Sequence, residues 1–236
     1  FCYNSGTKMK YSLTVIIPAY NEEATISTVL KKVMANKLVT EIIVVNDGST
    51  DRTSHRIQGT GHRKIKIIDK IQNEGKGAAI RDALKIAKGN IFIIQDADLE
   101  YDPQEYAKLI KPILENKADV VFGSRFMGSD AHRVLYFWHM LGNQFLTLVT
   151  NILTNLNLTD METCYKIFTK DVAKKLNLKE NRFGFEPEFS IKVAKMNARI
   201  YEVGISYSGR SYAEGKKITW KDGLVTLWCL FKYSIS

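Results

Sequence analysis

Short aliphatic runs punctuate the first half of the chain: "LTVII" (13–17), "EIIVV" (41–45), "IKII" (65–68), "IFIIQ" (91–95) and "DVVFG" (119–123). Each is apolar almost without alternation, as in a strand covered on both faces rather than one with a wet side. Between the first two, Ile26, Val29, Leu30, Val33 and Met34 recur at helical spacing, and Ile80, Leu84 and Ala87 repeat the pattern before the fourth. Strands alternating with amphipathic segments of helix length predict an α/β fold with a mostly parallel sheet flanked by helices.

After about residue 130 the pattern changes. Val134, Trp138, Leu141, Phe145, Leu148, Ile152 and Leu156 draw an apolar stripe along one helix over 134–156, and Leu135, Phe137, Leu146, Val149 and Leu153 widen it. A stripe that broad exceeds one core contact and predicts an amphipathic helix that inserts into a membrane surface. A further strand, "CYKIF" (164–168), follows. The apolar tail "LVTLWCLFKYSIS" (224–236) reads as the start of a membrane-associated segment. No stretch has the length and apolarity of a complete membrane span.

Composition narrows the function class. The chain has 236 residues, with 34 basic and 25 acidic side chains giving a net charge of +9. That balance favours an anionic partner, whether nucleic acid, phosphorylated substrate or acidic membrane. Basic residues without an interleaved aromatic motif exclude nucleic acid. Cys2, Cys164 and Cys229 are too dispersed for a disulfide framework or a zinc site, which suits a reducing compartment. No signal peptide precedes the first strand, and Met9 is a candidate start.

Three predicted strands end in polar clusters, where open α/β sheets collect ligands. These are "IIPAYNEE" (16–23), "VVNDGSTDRT" (44–53) and "QDADLE" (95–100). In extended backbone Asp96, Asp98 and Glu100 share a face. Carboxylates that converge repel one another, and a hard divalent cation is an economical remedy. Turn and cap chemistry is the competing account of each cluster. "NEGKGAAI" (73–80) lacks the spacing of a phosphate-binding glycine loop; Gly75 and Gly77 allow a tight helix start to which Lys76 adds charge.

In this order and at these intervals, "IIPAYNEEATI", "VVNDGSTDRT", "NEGKGAAI" and "QDADLEYDP" closely resemble the nucleotide-sugar half of family 2 glycosyltransferases of the GT-A fold. Within that family the likeness is to polyprenyl-phosphate sugar transferases, dolichyl-phosphate mannose synthase and undecaprenyl-phosphate glucosyltransferase among them. It covers about residues 11–223. It implies one GT-A catalytic domain over 9–223, with a nucleotide-sugar half (9–123) and an acceptor half (124–223), before the segment 224–236.

The resemblance also assigns residues. It puts Asp47 at the nucleotide base, with Pro18, Tyr20, Glu22 and Val45 lining the base and ribose pocket and Asp96 and Ala97 near the ribose and diphosphate. Asp98 and Glu100, beside Asp96, hold Mg2+ or Mn2+; position 100 is Gln in the mannose synthases. In "FGSRFMGSDAHR" (122–133), Arg125 and Arg133 grip the phosphate of the lipid acceptor, for which the guanidinium fork is suited. Asp160, in "TDMETCYKIF", ranks as the third catalytic residue beside Asp98 and Arg125, with helix capping as its alternative. Glu186 and Glu188 in "NRFGFEPEF" orient sugar hydroxyls or arginines, while Arg210 and Lys216 in "YSGRSYAEGKK" meet the donor diphosphate.

The implied reaction is an inverting hexose transfer from a UDP- or GDP-sugar, UDP-glucose first, to undecaprenyl or dolichyl phosphate at the cytoplasmic face of a membrane. Two alternatives stand beside it: a family 2 transferase with a soluble or polysaccharide acceptor, and a nucleotide-sugar-binding module without catalysis.

Overall fold

The computed structural model describes residues 11–128, 133, 134, 136–211, 214 and 220–235, without the side chains of 220 and 221. The predicted strands form β1 (Leu13–Ala19), β2 (Val39–Asn46), β3 (Ile65–Asp69), β4 (Ile91–Ile94) and β5 (Val120–Ser124). Between them lie α1 (Ile26–Ala35), α2 (Thr53–Gln58), α3 (Lys76–Ile86) and, behind a 3-10 turn at Pro103–Glu105, α4 (Tyr106–Leu114). Then come α5 (Phe137–Thr154), β6 (Lys166–Thr169), α6 (Lys170–Lys175), α7 (Phe185–Lys195), β7 (Ile200–Gly204) and α8 (Trp220–Ile235).

The seven strands make one sheet in the order β3-β2-β1-β4-β6-β5-β7. β2 and β4 both pair in parallel with β1, so the chain moves outward on one side of β1 and then returns to the other. Such a switch point opens a crevice beyond the carboxyl ends of the strands. Four of the five aliphatic runs are buried as their pattern predicts, with Val15, Ile16, Ile17, Ile42, Ile43, Val44, Val45, Ile93 and Ile94 showing no exposed surface. The run 65–68 is the exception, because β3 is the edge strand and Ile67 is 37% exposed. β6 runs antiparallel between β4 and β5, a direction its sequence does not encode. On α3 the buried face is Gly77, Ala78, Ala79, Ile80 and Ala83, and small side chains bring that helix close to the sheet.

The stripe Trp138, Leu141, Phe145, Leu148 and Ile152 faces outward, with Trp138 76% and Ile152 71% exposed. Two other expectations about the second half need correction. Leu146, Val149 and Leu153, expected to widen the stripe, instead pack against the buried cluster Met161, Ile191, Cys229, Leu230 and Tyr233. The expected boundary at 223/224 falls inside α8, because Cys229, Leu230 and Tyr233 anchor that helix through the same cluster. Among the described residues no helix is long and apolar enough to cross a membrane.

Candidate active site

The tips of β2, β1 and β4 stand side by side: Pro18 pairs with Val45, and Ala19 with Asn46. Most of the oxygen-bearing side chains after β2 close this rim on itself. Asn21, at φ 52°, accepts the Thr50 amide at 2.8 Å and donates its own amide to Ser49 Oγ at 3.0 Å. Asp51 accepts the amides of Thr53 and Glu23 at 2.9 and 3.2 Å. Turn and cap chemistry therefore explains much of "NDGSTD".

Asp47 is buried, and its two oxygens accept the amides of Glu74 at 3.1 Å and Gly75 at 2.7 Å, with Lys70 Nζ 3.3 Å away. It ties the β2 tip to the turn that starts α3, so a base contact through this carboxylate competes with those bonds. Gly75 has φ 103°, and a Cβ there would lie 2.4 Å from the Asn181 carbonyl oxygen. Only glycine suits that approach. Val45 has no exposed surface in side chain or backbone, against its expected place in the pocket lining, whereas Tyr20 is 37% exposed at the rim.

The segment Asp96–Glu100 departs from the predicted alternation because β4 ends at Ile94 and the chain bends from residue 97 onward. Asp98 Oδ1 accepts the Glu100 amide at 3.1 Å, a local turn that no strand would make. The three carboxylates consequently divide between two cations. Asp96 pairs with Lys76 Nζ at 2.9 Å, while Arg210 bridges Asp98 at 2.9 Å, Glu100 at 3.3 Å and Glu22 at 3.3 Å. No group of three potential ligands is gathered for a metal among the described residues, contrary to the expected Asp96, Asp98 and Glu100 triad.

The electrostatics still suit a cation. Burial first, then the charges of Asp96 and Glu100, push the Asp98 carboxyl up to about 8 despite Arg210. A carboxylate that costly to ionise gains from added positive charge. Asp98 and Glu100, with Asp96 adjacent, are the oxygen ligands available for Mg2+ or Mn2+, and Arg210 is the group that would shift to admit it. Asp96 behaves differently: burial opposes its ionisation, but Lys76 outweighs that and holds it below the usual carboxylate range.

At the end of β5, Arg125 donates through Nε and Nη2 to the two oxygens of Asp160, at 2.6 and 2.7 Å, and its amide reaches Asp160 Oδ2 at 3.0 Å. Asp160 has no exposed surface and also accepts Asn143 Nδ2 of α5 at 3.4 Å. In this arrangement it positions Arg125, and no helix directly follows it, so the capping alternative is corrected. The Arg125 guanidinium lies 5.2 Å from the Tyr207 ring centroid, within cation–π range. Arg133 stands apart on the surface, donating to Glu214 at 2.7 Å and to the Gly209 carbonyl at 3.1 Å. Lys216, the expected partner of Arg210, lies outside the described residues.

Three contributions to the site emerge only in the folded structure. Tyr207 donates its hydroxyl to Glu100 at 2.8 Å and accepts the Arg133 amide at its carbonyl at 2.9 Å, linking all three arginine neighbourhoods. Lys76, expected to serve a helix start, also pairs with Glu186 at 3.0 Å; although burial opposes its charge, Asp96 and Glu186 help hold it well above the ordinary lysine range. Glu202 accepts the Thr159 amide at 2.9 Å and the Asp160 amide at 3.2 Å, fixing the loop behind Arg125. The weak signal for Lys76 was its place between two glycines.

A crevice at the switch point of a mostly parallel sheet, lined by acidic tips and arginines, restricts the choice of family. The sequence profile of glycosyl transferase family 2 matches residues 14–176. The chain belongs to that family. This family 2 transferase is 31% identical over 216 residues to an uncharacterized protein of Methanocaldococcus jannaschii, covering 89% of this chain and 87% of the other. It is 28% identical over 222 residues to a dolichyl-phosphate beta-glucosyltransferase of Trichomonas vaginalis, covering 85% of this chain and 67% of that one. With a dolichol-phosphate mannosyltransferase of Pyrococcus furiosus it shares 29% over 215 residues, covering 87% of this chain but 60% of the relative's length.

Among solved structures, the family 2 transferase resembles glucosyl-3-phosphoglycerate synthase from Mycobacterium tuberculosis, crystallised with Mn2+, uridine diphosphate and glucosyl-3-phosphoglycerate. The TM-score is 0.76 at 20% identity, over 96% of this chain and 81% of that one. The same enzyme with Mn2+ and UDP-glucose gives 0.77. The fold is thereby shown to be the expected α/β architecture. The protein is a glycosyltransferase that draws on a nucleotide sugar.

Proposed function

We propose that the enzyme transfers a hexose, with inversion, from a nucleotide sugar to the phosphate of a polyprenyl phosphate at a membrane surface. UDP-glucose is the favoured donor and GDP-mannose the next. The dolichyl-phosphate transferases among its relatives support the acceptor class, as does one local observation. Asn143 of α5 touches Asp160, which grips Arg125, and the same helix carries the outward apolar row of Trp138, Leu141, Phe145, Leu148 and Ile152. A cationic group suited to a phosphate thus adjoins a surface suited to an isoprenoid chain. On α8, Leu224, Val225, Trp228, Phe231 and Ile235 are exposed as well, which supports docking on the cytoplasmic face of a membrane.

In this account Pro18, Tyr20 and Glu22 border the nucleotide, with Asp96, Ala97 and Arg210 at the diphosphate. Asp98 and Glu100 would hold a divalent cation, which when bound would supply positive charge at the departing nucleoside diphosphate. The attacking phosphate oxygen is already anionic, so the chain has to align it rather than deprotonate it. Arg125, locked by Asp160, provides that alignment, and Arg133 adds positive charge at the entrance.

The membrane-facing part of the proposal is tested by Trp138→Ser combined with Phe145→Ser. Both side chains are exposed, so the fold should be preserved, while transfer to undecaprenyl phosphate in phospholipid vesicles should fall at least about tenfold with donor affinity intact. Unchanged transfer would remove α5 from the acceptor path.

A further inference from the structure

The inner face of α5 is unlike those of α1 and α4. α1 buries Ile26, Val29, Leu30 and Val33, and α4 buries Tyr106, Leu109, Ile110 and Ile113, whereas the fully buried side chains of α5 are Thr147 and Thr150. Asn143, Thr147 and Asn151 follow one another along this helix at steps of four, which places them on one face. All three bond the segment 158–161, which carries Asp160.

Asn151 accepts the Leu158 amide at 2.9 Å and donates to the Leu158 carbonyl at 2.8 Å, while Thr147 Oγ1 accepts the Met161 amide at 3.2 Å. Glu202 takes the amides of Thr159 and Asp160 between them. Four consecutive amides thus end on side chains, as an irregular segment with buried residues requires. That much is anchoring of a loop. Asn143 does something else: its Nδ2 reaches Asp160 Oδ1 at 3.4 Å, the oxygen that also accepts Arg125 Nη2 at 2.7 Å. The Thr147 hydroxyl donates to Asn143 Oδ1 at 3.3 Å, which turns the amide nitrogen toward the carboxylate. The bond from Asn143 leaves the loop backbone untouched and acts on the one side chain that holds Arg125.

We propose that Asn143 and Thr147 are positioning residues of the transfer reaction, acting on the acceptor phosphate through Asp160 and Arg125. The inference rests on the reading of Arg125 as the acceptor-side cation. A guanidinium fork aligns a phosphate only while its own plane is fixed, and a displacement on the order of 1 Å in such a group costs about a hundredfold in rate. Asp160 fixes that plane through Nε and Nη2, and Asn143 resists rotation of the carboxylate that does so. Without Thr147 the Asn143 amide loses the donor that orients it, and the Met161 amide beside Asp160 loses its acceptor.

The test measures acceptor kcat/KM and donor Kd for the wild type, Thr147→Val, Thr147→Ser and Asn143→Ala, below the melting temperature of each. The acceptors are undecaprenyl phosphate in detergent and water-soluble geranyl phosphate; the donors are UDP-glucose and GDP-mannose with Mn2+. Thr147→Val keeps the shape of the side chain and removes the hydroxyl. It should lower kcat/KM for both acceptors about tenfold and leave donor Kd within about twofold, and Thr147→Ser, which keeps the hydroxyl, should restore transfer to within about twofold of wild type. Asn143→Ala should show the same split, and carries the test if Thr147→Val fails to fold, because Asn143 is only half-buried and its loss strands no backbone amide. Equal losses of donor affinity and acceptor use would mean a general loosening of the fold and overturn the inference, as would variants that melt lower but transfer normally. A loss on undecaprenyl phosphate with geranyl phosphate unaffected would place the effect at the outer apolar row of α5, which also overturns it. A wild type that transfers to neither phosphate would take down the proposed function itself.

Discussion

Replacing Asp98 by Asn is expected to lower hexose transfer at least about a hundredfold while making the metal-free protein more stable, not less. The stability half follows from linkage. Burial, Asp96 and Glu100 raise the Asp98 carboxyl from 3.8 to about 8, so the folded state holds a proton that the unfolded chain releases near 3.8. The stability tied to this group is complete below pH 3.8 and is lost as pH rises through about 8. Asparagine removes that loss, and Glu22 and Glu100 remain to pair Arg210. The melting temperature in EDTA should rise by roughly 2–4 °C for each kcal/mol recovered, more at pH 8 than at pH 5. A variant with wild-type turnover would remove the metal assignment from Asp98, and a variant less stable than wild type at pH 8 would contradict the electrostatic account.

Arg125→Ala carries the largest expected structural cost. Its guanidinium supplies two of the contacts to a carboxylate that has no exposed surface, at 2.6 and 2.7 Å. Removing it leaves Asp160 charged and buried with only the residue 125 amide and Asn143, which for a broken buried pair costs about 3–5 kcal/mol. The melting temperature should drop on the order of 10 °C. Arg125→Ala combined with Asp160→Ala should recover part of that stability and none of the transfer. A single variant that melts within 2 °C of wild type, a margin of roughly one kcal/mol, would show that Asp160 finds another partner.

The parallel half of the fold was legible because its strands are continuous aliphatic runs, and β1, β2, β4 and β5 appear where those runs stand. The direction of β6 was not legible, since "CYKIF" reads alike in either orientation. Periodicity likewise found α5 and its outward row from Trp138 to Ile152, but not the width of that row: Leu146, Val149 and Leu153 pack inward. At the site, strand-tip positions identified Asp96, Asp98 and Arg125, but the assumption of extended backbone failed from residue 97 onward. Lys76, Glu186 and Tyr207 join the site through contacts about 20 to 110 residues apart in sequence, such as Lys76 with Glu186 and Tyr207 with Glu100. Local patterns carry no trace of such pairings. The resemblance to polyprenyl-phosphate transferases supplied what periodicity lacked, namely why these tips belong together.

The measurement that bears most directly on the proposed reaction is transfer of labelled hexose from UDP-glucose or GDP-mannose into organic-extractable lipid, with and without undecaprenyl phosphate and Mn2+. The account predicts labelled lipid from UDP-glucose only when both the acceptor phosphate and the divalent cation are present. Label appearing instead on a water-soluble acceptor, with none in the lipid under any pairing, would contradict it.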